Sequence, residues 1–343
     1  MTAPIIQLTS NNDIGCFFRQ MPDSSGCWGK YQFKLHNGKQ QADWLVAYDE
    51  PHKNCETDLP ISRRILFRTE PQSIKAYSDE FLKQFGTVVA IDPDPSFRGQ
   101  TIISQVALPW MYGIDFEKPQ QALKWDDLLL GQSSGYKGEL SVVCSNKKIN
   151  LNQERRLRFL AMLKEVLGDR LTIYGRGFKP IGDKREAIDG YRYHLVLENN
   201  LLSHGWTEKL ADPILGGAYP ISAGADNLSH YFNPNGFACI NITAPRQAVA
   251  DVLSILESDP ARSARSAMEE NRLRLLTEHN FFPLCSSVID TIRQKSDIET
   301  FDRLSRSFSF RPNKRPKLDR LMSIPRPIRS SSRRLYLTLF ERK

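Results

Sequence analysis

Short apolar runs that end in acidic residues dominate the beginning of the chain. Such runs occupy residues 43–50, 63–70 and 86–92, and part of a helix is predicted over residues 81–85 between two of them. Short apolar runs bounded by turn signals are typical of buried strands. The pattern therefore predicts an α/β domain over residues 1–135.

A second alternation of strands and helices follows. Its predicted strands cover residues 139–146, 171–175, 194–199 and 218–222, and its predicted helices cover residues 152–168, 248–258 and 266–279. In residues 152–168 the apolar positions recur at helical spacing, and Gly168 stands where a helix commonly ends. We therefore expect a second α/β domain over residues 136–300.

Strands and helices that alternate twice favour two doubly wound α/β domains that face a cleft. The Gly- and Ser-rich residues 131–138 are the predicted linker. Residues 301–343 are predicted to be a basic, Pro-rich C-terminal tail.

The net charge of +8 is concentrated in that tail. Residues 311–343 hold eleven Lys and Arg against two acidic residues, a net of +9, which leaves the rest of the chain at −1. Four prolines exclude a long helix there. A solvated, disordered tail and a nucleic-acid-binding tail are alternatives. The apolar residues 335–340 between basic residues favour peripheral contact with an anionic membrane.

Cysteines and the N-terminal residues restrict the cellular setting. The six cysteines show no CxxC pair and no zinc-ligand spacing, so free thiols in a reducing cytosol are expected. The first residues lack a cationic start and an apolar core, so no signal peptide is expected. No apolar run approaches the roughly 18 residues of a membrane span. We expect a cytoplasmic protein, peripheral at the inner face of the membrane if the tail binds there.

Chemistry-bearing residues gather in residues 191–220, where a strand is followed by a loop and a helix. Glu198 and Asn199 end the strand, and Glu208 and Lys209 lie at the start of the helix. Ligands of open α/β sheets bind beyond the carboxyl ends of the strands. A helix N-terminus there offers free N–H groups to a phosphate, and a lysine adds a mobile positive charge. The segment is therefore a candidate nucleotide or diphosphate site.

The same segment resembles the C-terminal signature of the α1,3/α1,4-fucosyltransferases, glycosyltransferase family 10. The matching residues are, in order, Tyr191-Arg192-Tyr193, Glu198-Asn199, Trp206, Thr207-Glu208-Lys209, Gly216-Gly217-Ala218, Pro220, Tyr231-Phe232-Asn233-Pro234 and Phe237. The resemblance extends over roughly residues 60–285, and its ordered motifs lie within about 140–240. Lacking an N-terminal membrane span, the chain resembles the bacterial members.

The resemblance implies a GT-B architecture of two Rossmann-like domains, with the donor in the C-terminal domain and the acceptor in the N-terminal domain. It implies an inverting transfer of fucose from GDP-fucose to a saccharide hydroxyl, with no tightly bound cofactor. A divalent metal could stimulate the reaction but is not required. The implied acceptor is a glycan, an O-antigen unit or a lipopolysaccharide.

Donor-contacting residues are also implied by the resemblance. Arg156, or alternatively Arg155, corresponds to an arginine that contacts the diphosphate, and Lys209 corresponds to a phosphate-contacting lysine. Glu208 corresponds to a residue that contacts the fucose hydroxyls. A solvent-facing arginine and a dipole-stabilising first-turn glutamate are the alternative interpretations.

Four further positions are assigned to the donor. Glu198 and Asn199 could serve the nucleotide or brace the loop, and Tyr174 could border the nucleobase. Trp206 stands where the family often has Tyr, so stacking is the contact expected of it. Leu197 in place of the usual Phe, and Pro213, which is expected to interrupt the helix, suggest a divergent member.

The catalytic base is expected to be a carboxylate at the end of an N-terminal-domain strand, since the attacking hydroxyl must lose a proton. Glu70, which follows a predicted strand and precedes Pro71, resembles the family's base. Asp92 and Asp94 are the alternatives, although their prolines alone explain a turn. Arg98 could help to hold the acceptor.

Histidines and rival functions complete the expectations. His194 lies inside an apolar strand, where a core histidine is favoured over a ligand, whereas His204 and His230 flank the donor motif. The rival functions are a GT-B transferase that uses another nucleotide sugar and a non-catalytic glycan-binding relative.

Overall fold

The structure is a computed structural model that describes residues 2–115, 117–131, 134–148, 151–295, 303–304 and 306–313. The chain divides into two compact units. Unit 1 comprises residues 1–106 and 281–343, and unit 2 comprises residues 107–280.

Strands and helices alternate along the described residues. The strands are β1 (Ile5–Thr9), β2 (Cys27–Trp28), β3 (Tyr31–Leu35), β4 (Trp44–Tyr48), β5 (Glu56–Thr57), β6 (Arg64–Phe67), β7 (Thr87–Ala90), β8 (Gln100–Ile103), β9 (Gly138–Val143), β10 (Leu171–Tyr174), β11 (Tyr191–Leu197), β12 (Tyr219–Ala223), β13 (Ala238–Cys239) and β14 (Phe308–Ser309). The α-helices are α1 (Asp79–Leu82), α2 (Trp125–Leu129), α3 (Leu151–Leu167), α4 (Arg185–Ile188), α5 (Glu208–Gly216), α6 (Pro245–Ser258), α7 (Arg265–Thr277) and α8 (Phe281–Lys295).

Unit 1 is built on a seven-stranded sheet in the order β2-β3-β1-β4-β6-β7-β8. All neighbouring strands are parallel except β2 and β3. Every residue of β4, β6 and β7 is buried, as expected for central strands of a parallel sheet covered on both faces. These three strands confirm the prediction that the apolar runs in residues 43–50, 63–70 and 86–92 form buried strands.

Helix α8 completes the core of unit 1, which corrects the expected domain boundary at residue 300. Phe281 stacks on Phe17 with ring centroids 4.8 Å apart and lies 5.2 Å from the ring of Phe67. Phe282 meets Phe33 at 5.0 Å. Because these buried aromatic contacts hold α8 on the unit 1 sheet, residues 281–295 belong with the N-terminal residues.

The beginning of the predicted tail is also part of unit 1. Strand β14 pairs with β5, and Phe310 stacks on Phe85 at 5.4 Å. The backbone N–H of Arg311 donates to Gln84 at 2.7 Å. The tail predicted from residue 301 therefore begins inside the fold. Residues 314–343, which carry most of the predicted membrane-binding segment, lie outside the described residues.

Unit 2 has a five-stranded, fully parallel sheet in the order β10-β9-β11-β12-β13. Helix α3, predicted over residues 152–168, is confirmed, and it buries Phe159, Leu160, Leu163 and Leu167. Among the described residues, no helix is long and apolar enough to cross a membrane.

Residues 107–135 pack into unit 2, so the division lies at 106/107 rather than at 135/136. Trp110, Tyr112 and Leu128 are buried in one cluster with residues of α5 and α7. The predicted linker is also part of unit 2, since the backbone N–H of Lys137 donates to Gly190 at 2.7 Å and β9 begins at Gly138. The described residues 131 and 134–138 therefore do not connect the two units.

The strand order of unit 2 reverses at β9. The chain places β10 on one side of β9 and then places β11 on the other side. In doubly wound sheets a ligand binds beyond the carboxyl ends of the strands at such a switch point. The carboxyl ends of β9 and β11 are therefore where the fold predicts a ligand.

Candidate functional site

Glu198 immediately follows β11 at the switch point, and its side chain is only 2% exposed. Its backbone N–H donates to Ala223 at 3.0 Å, which extends the pairing with β12. A side chain at Gly224 would not fit beside it, because a Cβ there would lie 2.7 Å from Cγ of Glu198. The fold thus encloses a carboxylate at the carboxyl end of the central strand of the sheet.

Thr207 joins Glu198 to the start of α5. Its backbone N–H and its hydroxyl donate to Oε1 of Glu198 at 2.9 and 2.8 Å. The same hydroxyl oxygen accepts from the backbone N–H of Lys209 at 3.2 Å, so Thr207 is the N-cap of α5. One residue therefore begins the helix and positions the buried carboxylate.

Helix α5 runs through Pro213 and ends at Gly216, and the next residue, Gly217, has a left-handed φ of 75°. The expectation that Pro213 interrupts the helix is wrong. Proline removes only the N–H that would donate to the carbonyl of Lys209, while its ring is buried in the core.

Lys209 lies between two carboxylates. Its Nζ is 3.5 Å from Oε2 of Glu198 and 3.1 Å from Oε1 of Glu208. Burial alone would lower the pKa of Lys209, but Glu208 and Glu198 outweigh it and raise that pKa. Burial also raises the pKa of Glu198, against the influence of Lys209. Lys209 therefore remains a cation at the helix N-terminus.

Arg156, on α3, contacts the end of β11. Its Nη1 donates to the carbonyl of Leu197 at 3.2 Å and to Oδ1 of Asn199 at 2.7 Å. The residue is 4% exposed. Arg155 instead donates to Asn152 within the same helix at 3.1 Å. Of the two arginines considered, Arg156 is the one that lies at the switch point.

Two residues that the sequence reasoning missed complete the charged group. Lys184 precedes α4, and its Nζ lies 2.5 Å from Oδ2 of Asp212 and 3.9 Å from Oε1 of Glu208. Burial would raise the pKa of Glu208, but Lys209 and Lys184 lower it to about 2. The sequence signal that could have indicated Asp212 is its spacing from Glu208, since residues four apart lie on the same face of a helix. We call Arg156, Lys184, Glu198, Glu208, Lys209 and Asp212 the switch-point cluster.

Tyr174 and Trp206 are buried where the resemblance expected them to contact the nucleotide. Tyr174 is 1% exposed, and its hydroxyl lies 2.9 Å from that of Tyr191. Trp206 is 6% exposed, and its ring meets Tyr231 at 5.6 Å and Phe232 at 5.3 Å. Both rings pack within unit 2, and their contact with a nucleotide remains a prediction.

Glu70 lies in unit 1, three residues beyond the end of β6, and is half-buried. Its alternatives, Asp92 and Asp94, form ion pairs with Arg68, whose side chain is fully buried. Oδ2 of Asp92 also accepts from the backbone N–H of Gln72 at 3.0 Å. These two aspartates therefore hold the residues that follow β6 and β7 together. Arg98 is exposed.

The histidines also differ in setting. His194 is 4% exposed within β11, and its Nδ1 lies 2.8 Å from Oγ of Ser141. Burial lowers the pKa of His194 to about 3, so it is a neutral core residue. His204, at a φ of 62°, lies 2.5 Å from the hydroxyl of Tyr231, and its ring is 6.4 Å from that of His230.

The chemistry of the cluster suits an anion more than a metal. Lys209 is a cation at the N-terminus of α5, and Arg156 is a cation on α3 at the carboxyl end of β11, an arrangement that suits a diphosphate. Within the described ranges, no group of three or more His, Cys, Asp or Glu side chains is arranged to hold a metal ion.

No protein-family model matches the sequence, and no curated protein matches it. A solved α1,3-fucosyltransferase is similar in structure, with a TM-score of 0.50 and 16% identity over 87% of this chain and 90% of that one. A structure of α1,3-fucosyltransferase with GDP gives a TM-score of 0.48 and 17% identity over 85% and 90% of the two chains. An α,α-trehalose-phosphate synthase (UDP-forming) from Burkholderia vietnamiensis gives a TM-score of 0.47 and 9% identity over 78% of this chain and 75% of that one.

The likeness to the first of these structures concerns the fold. Both units of this chain are Rossmann-like, with sheets that are parallel except for the pair β2 and β3 in unit 1. The chain therefore has the GT-B fold of glycosyltransferases.

Proposed function

We propose that this protein is an inverting fucosyltransferase that moves fucose from GDP-fucose to a hydroxyl of a saccharide. The observation that carries the proposal is the position of Lys209. It is a cation beside Glu198 and Glu208, at the start of α5 and at the sheet's switch point. The order of residues 191–220, which resembles glycosyltransferase family 10, and the fold of an α1,3-fucosyltransferase support the choice of sugar.

In the proposed reaction, the acceptor hydroxyl attacks the anomeric carbon of fucose while Glu70 takes its proton. The bond from that carbon to the β-phosphate oxygen breaks, and its electron pair leaves with GDP. Lys209 and Arg156 would neutralise the growing charge on the diphosphate. Attack opposite the leaving group inverts the anomeric centre. Under this proposal Glu208 holds the fucose hydroxyls.

The acceptor belongs to the proposal only as a class. A glycan, an O-antigen unit or a lipopolysaccharide would offer the required hydroxyl, and contact of residues 311–343 with an anionic membrane would bring the enzyme to a lipid-linked acceptor. The proposed partners are thus a GDP-sugar, a saccharide and a membrane surface. Nucleic acid is not among them.

The test is nucleotide release by the purified chain with GDP-fucose, GDP-mannose, UDP-galactose and UDP-N-acetylglucosamine. Slow GDP release from GDP-fucose alone, abolished by Lys209→Ala, is the expected result. Lys164→Ala is a matched control, because Lys164 lies in the last turn of α3 and donates to Gly168 at 2.7 Å. Release of UDP would instead support another nucleotide sugar. Absence of both release and GDP binding would favour the non-catalytic alternative.

A further inference from the structure

Lys184 is the second lysine that contacts Glu208. It reaches the switch-point cluster from the connection between β10 and β11, outside the sequence motif. Its side chain is 16% exposed, compared with 18% for Glu208 and 1% for Asp212. Lys184 therefore lies between one buried and one nearly buried carboxylate.

Asp212 is fully engaged by its neighbours. Its Oδ1 accepts from the backbone N–H groups of Met111 and Tyr112, both at 2.9 Å, and its Oδ2 pairs with Lys184 at 2.5 Å. Glu208 and Asp212 are four residues apart on α5, so their like charges lie on the same face of the helix. Lys184 is the cation that makes this arrangement stable.

The described cluster holds three cations and three carboxylates, so its formal charges cancel before a donor binds. In this state Lys209 is paired with Glu208 and Glu198. A diphosphate adds negative charge and attracts the Lys209 ammonium. When Lys209 turns to the phosphate, Glu208 keeps a nearby cation only if Lys184 remains beside it.

We propose that Lys184 is a positioning residue that keeps Glu208 charge-compensated and in place while Lys209 binds the donor diphosphate. The inference rests on the proposed function, since it takes the donor to be a nucleoside diphosphate sugar. The direction of the pKa of Glu208 agrees with it, because Lys184 is one of the two lysines that lower it.

The test measures GDP affinity by calorimetry in a double-mutant cycle. GDP is the probe because it carries the diphosphate but no fucose, so Glu208→Gln should still bind it. We expect Lys184→Met to weaken GDP binding about tenfold, as for loss of one partly buried ion pair. In the Glu208→Gln background the same substitution should change GDP affinity less than about twofold, since residue 208 then has no negative charge for Lys184 to compensate. Lys184→Arg should restore binding.

Controls separate positioning from folding. Lys164→Met removes a lysine in the last turn of α3, where it donates to Gly168 and Leu171 away from the switch point, and should not change affinity. If Lys184→Met fails to fold because Asp212 is left unpaired, Lys184→Met with Asp212→Asn removes both charges and undergoes the same comparison. A purely structural role of Lys184 would weaken binding equally with Glu208 and with Gln at that position.

The outcomes are distinct. A loss that disappears in the Glu208→Gln background supports the inference. An equal loss in both backgrounds, or no loss in either, overturns it while leaving the proposed function intact. If the unsubstituted chain itself does not bind GDP, the proposed function fails and the inference fails with it.

Discussion

Arg156 and Asn199 are joined by a hydrogen bond of 2.7 Å from Nη1 to Oδ1. The same guanidinium nitrogen donates to the carbonyl of Leu197, so the first turns of α3 hold the last residues of β11. This contact fixes the backbone that leads into Glu198. Arg156 can therefore act on the site both by its charge and by the shape of the strand end.

We predict that Arg156→Ala lowers kcat/KM for the donor by about two orders of magnitude, comparable with removal of one donor that stabilises a developing anion. Stability should also fall by about 1–3 kcal/mol, since the buried carbonyl of Leu197 loses its partner. Steady-state kinetics and urea unfolding measure the two effects. Arg155→Ala, one position earlier on the helix, is the matched control. A larger kinetic loss in the control would assign the phosphate contact to Arg155.

Thr207→Ala is predicted to destabilise the protein by about 1–2 kcal/mol through loss of the N-cap of α5. It also removes the hydroxyl that donates to Glu198, so GDP affinity should fall as well. Thr207→Ser keeps both hydrogen bonds and should match the unsubstituted chain. Urea midpoints and calorimetry with GDP provide the measurements. Equal behaviour of the Ala and Ser variants would contradict the assigned role of the hydroxyl.

Gly224→Ala is predicted to cost about 1–3 kcal/mol, because its Cβ would lie 2.7 Å from Cγ of the buried Glu198. The carboxylate would have to move away from Thr207, so nucleotide binding should weaken too. Gly135→Ala is the matched control, since a Cβ at Gly135 would meet nothing within 4 Å. Thermal unfolding of the two variants tests this prediction, and it fails if both melt at the same temperature.

His194 should make the protein sensitive to acid. Its pKa of about 3 in the folded chain lies below the roughly 6.5 of an unfolded histidine. Between these values the unfolded state binds more protons, so the free energy of unfolding falls as pH falls, by about 1.4 kcal/mol per pH unit well below pH 6.5. His194→Gln removes this contribution and should flatten the slope between pH 6.5 and 5. Parallel slopes in urea unfolding would show that another group titrates.

Substitutions of Glu70 and Asp94 are predicted to have different effects, the first on catalysis and the second on stability. Glu70→Gln should lower kcat by two to four orders of magnitude, about the contribution of a general base, with GDP affinity unchanged. Asp94→Asn should cost about 3 kcal/mol in stability, because Arg68 is fully buried against Asp94 and Asp92. Kinetics and thermal unfolding of both variants separate the roles. A selective kinetic loss in Asp94→Asn would move the base to that residue.

The local sequence was sufficient to predict those elements that depend on the spacing of apolar residues or on one short motif. The helical spacing in residues 152–168 gave α3, and the apolar runs gave β4, β6 and β7. The order of residues from Glu198 to Lys209 placed the carboxylates and the lysine at one strand end, since a short loop cannot carry them far apart.

Other features depend on contacts between distant segments. Lys184 meets Asp212 only because the connection after β10 packs against α5. The motif gave the positions of Tyr174 and Trp206 in the chain but not the direction of their rings, which the surrounding aromatic core decides. The domain boundary was misplaced because Gly- and Ser-rich residues inside a unit have the same composition as a linker.

The return of the chain to unit 1 at Phe281 sets an order of events on the ribosome. Unit 2 is continuous in sequence, so its core can close once residue 280 has emerged from the ribosome. Unit 1 begins earlier, yet Phe17, Phe33 and Phe67 gain their contacts with the aromatic rings of α8 only after unit 2 has been synthesised. Biosynthesis thus leaves the N-terminal sheet without the contacts of α8 while the middle of the chain folds, and the unit that is begun first is the last to be completed.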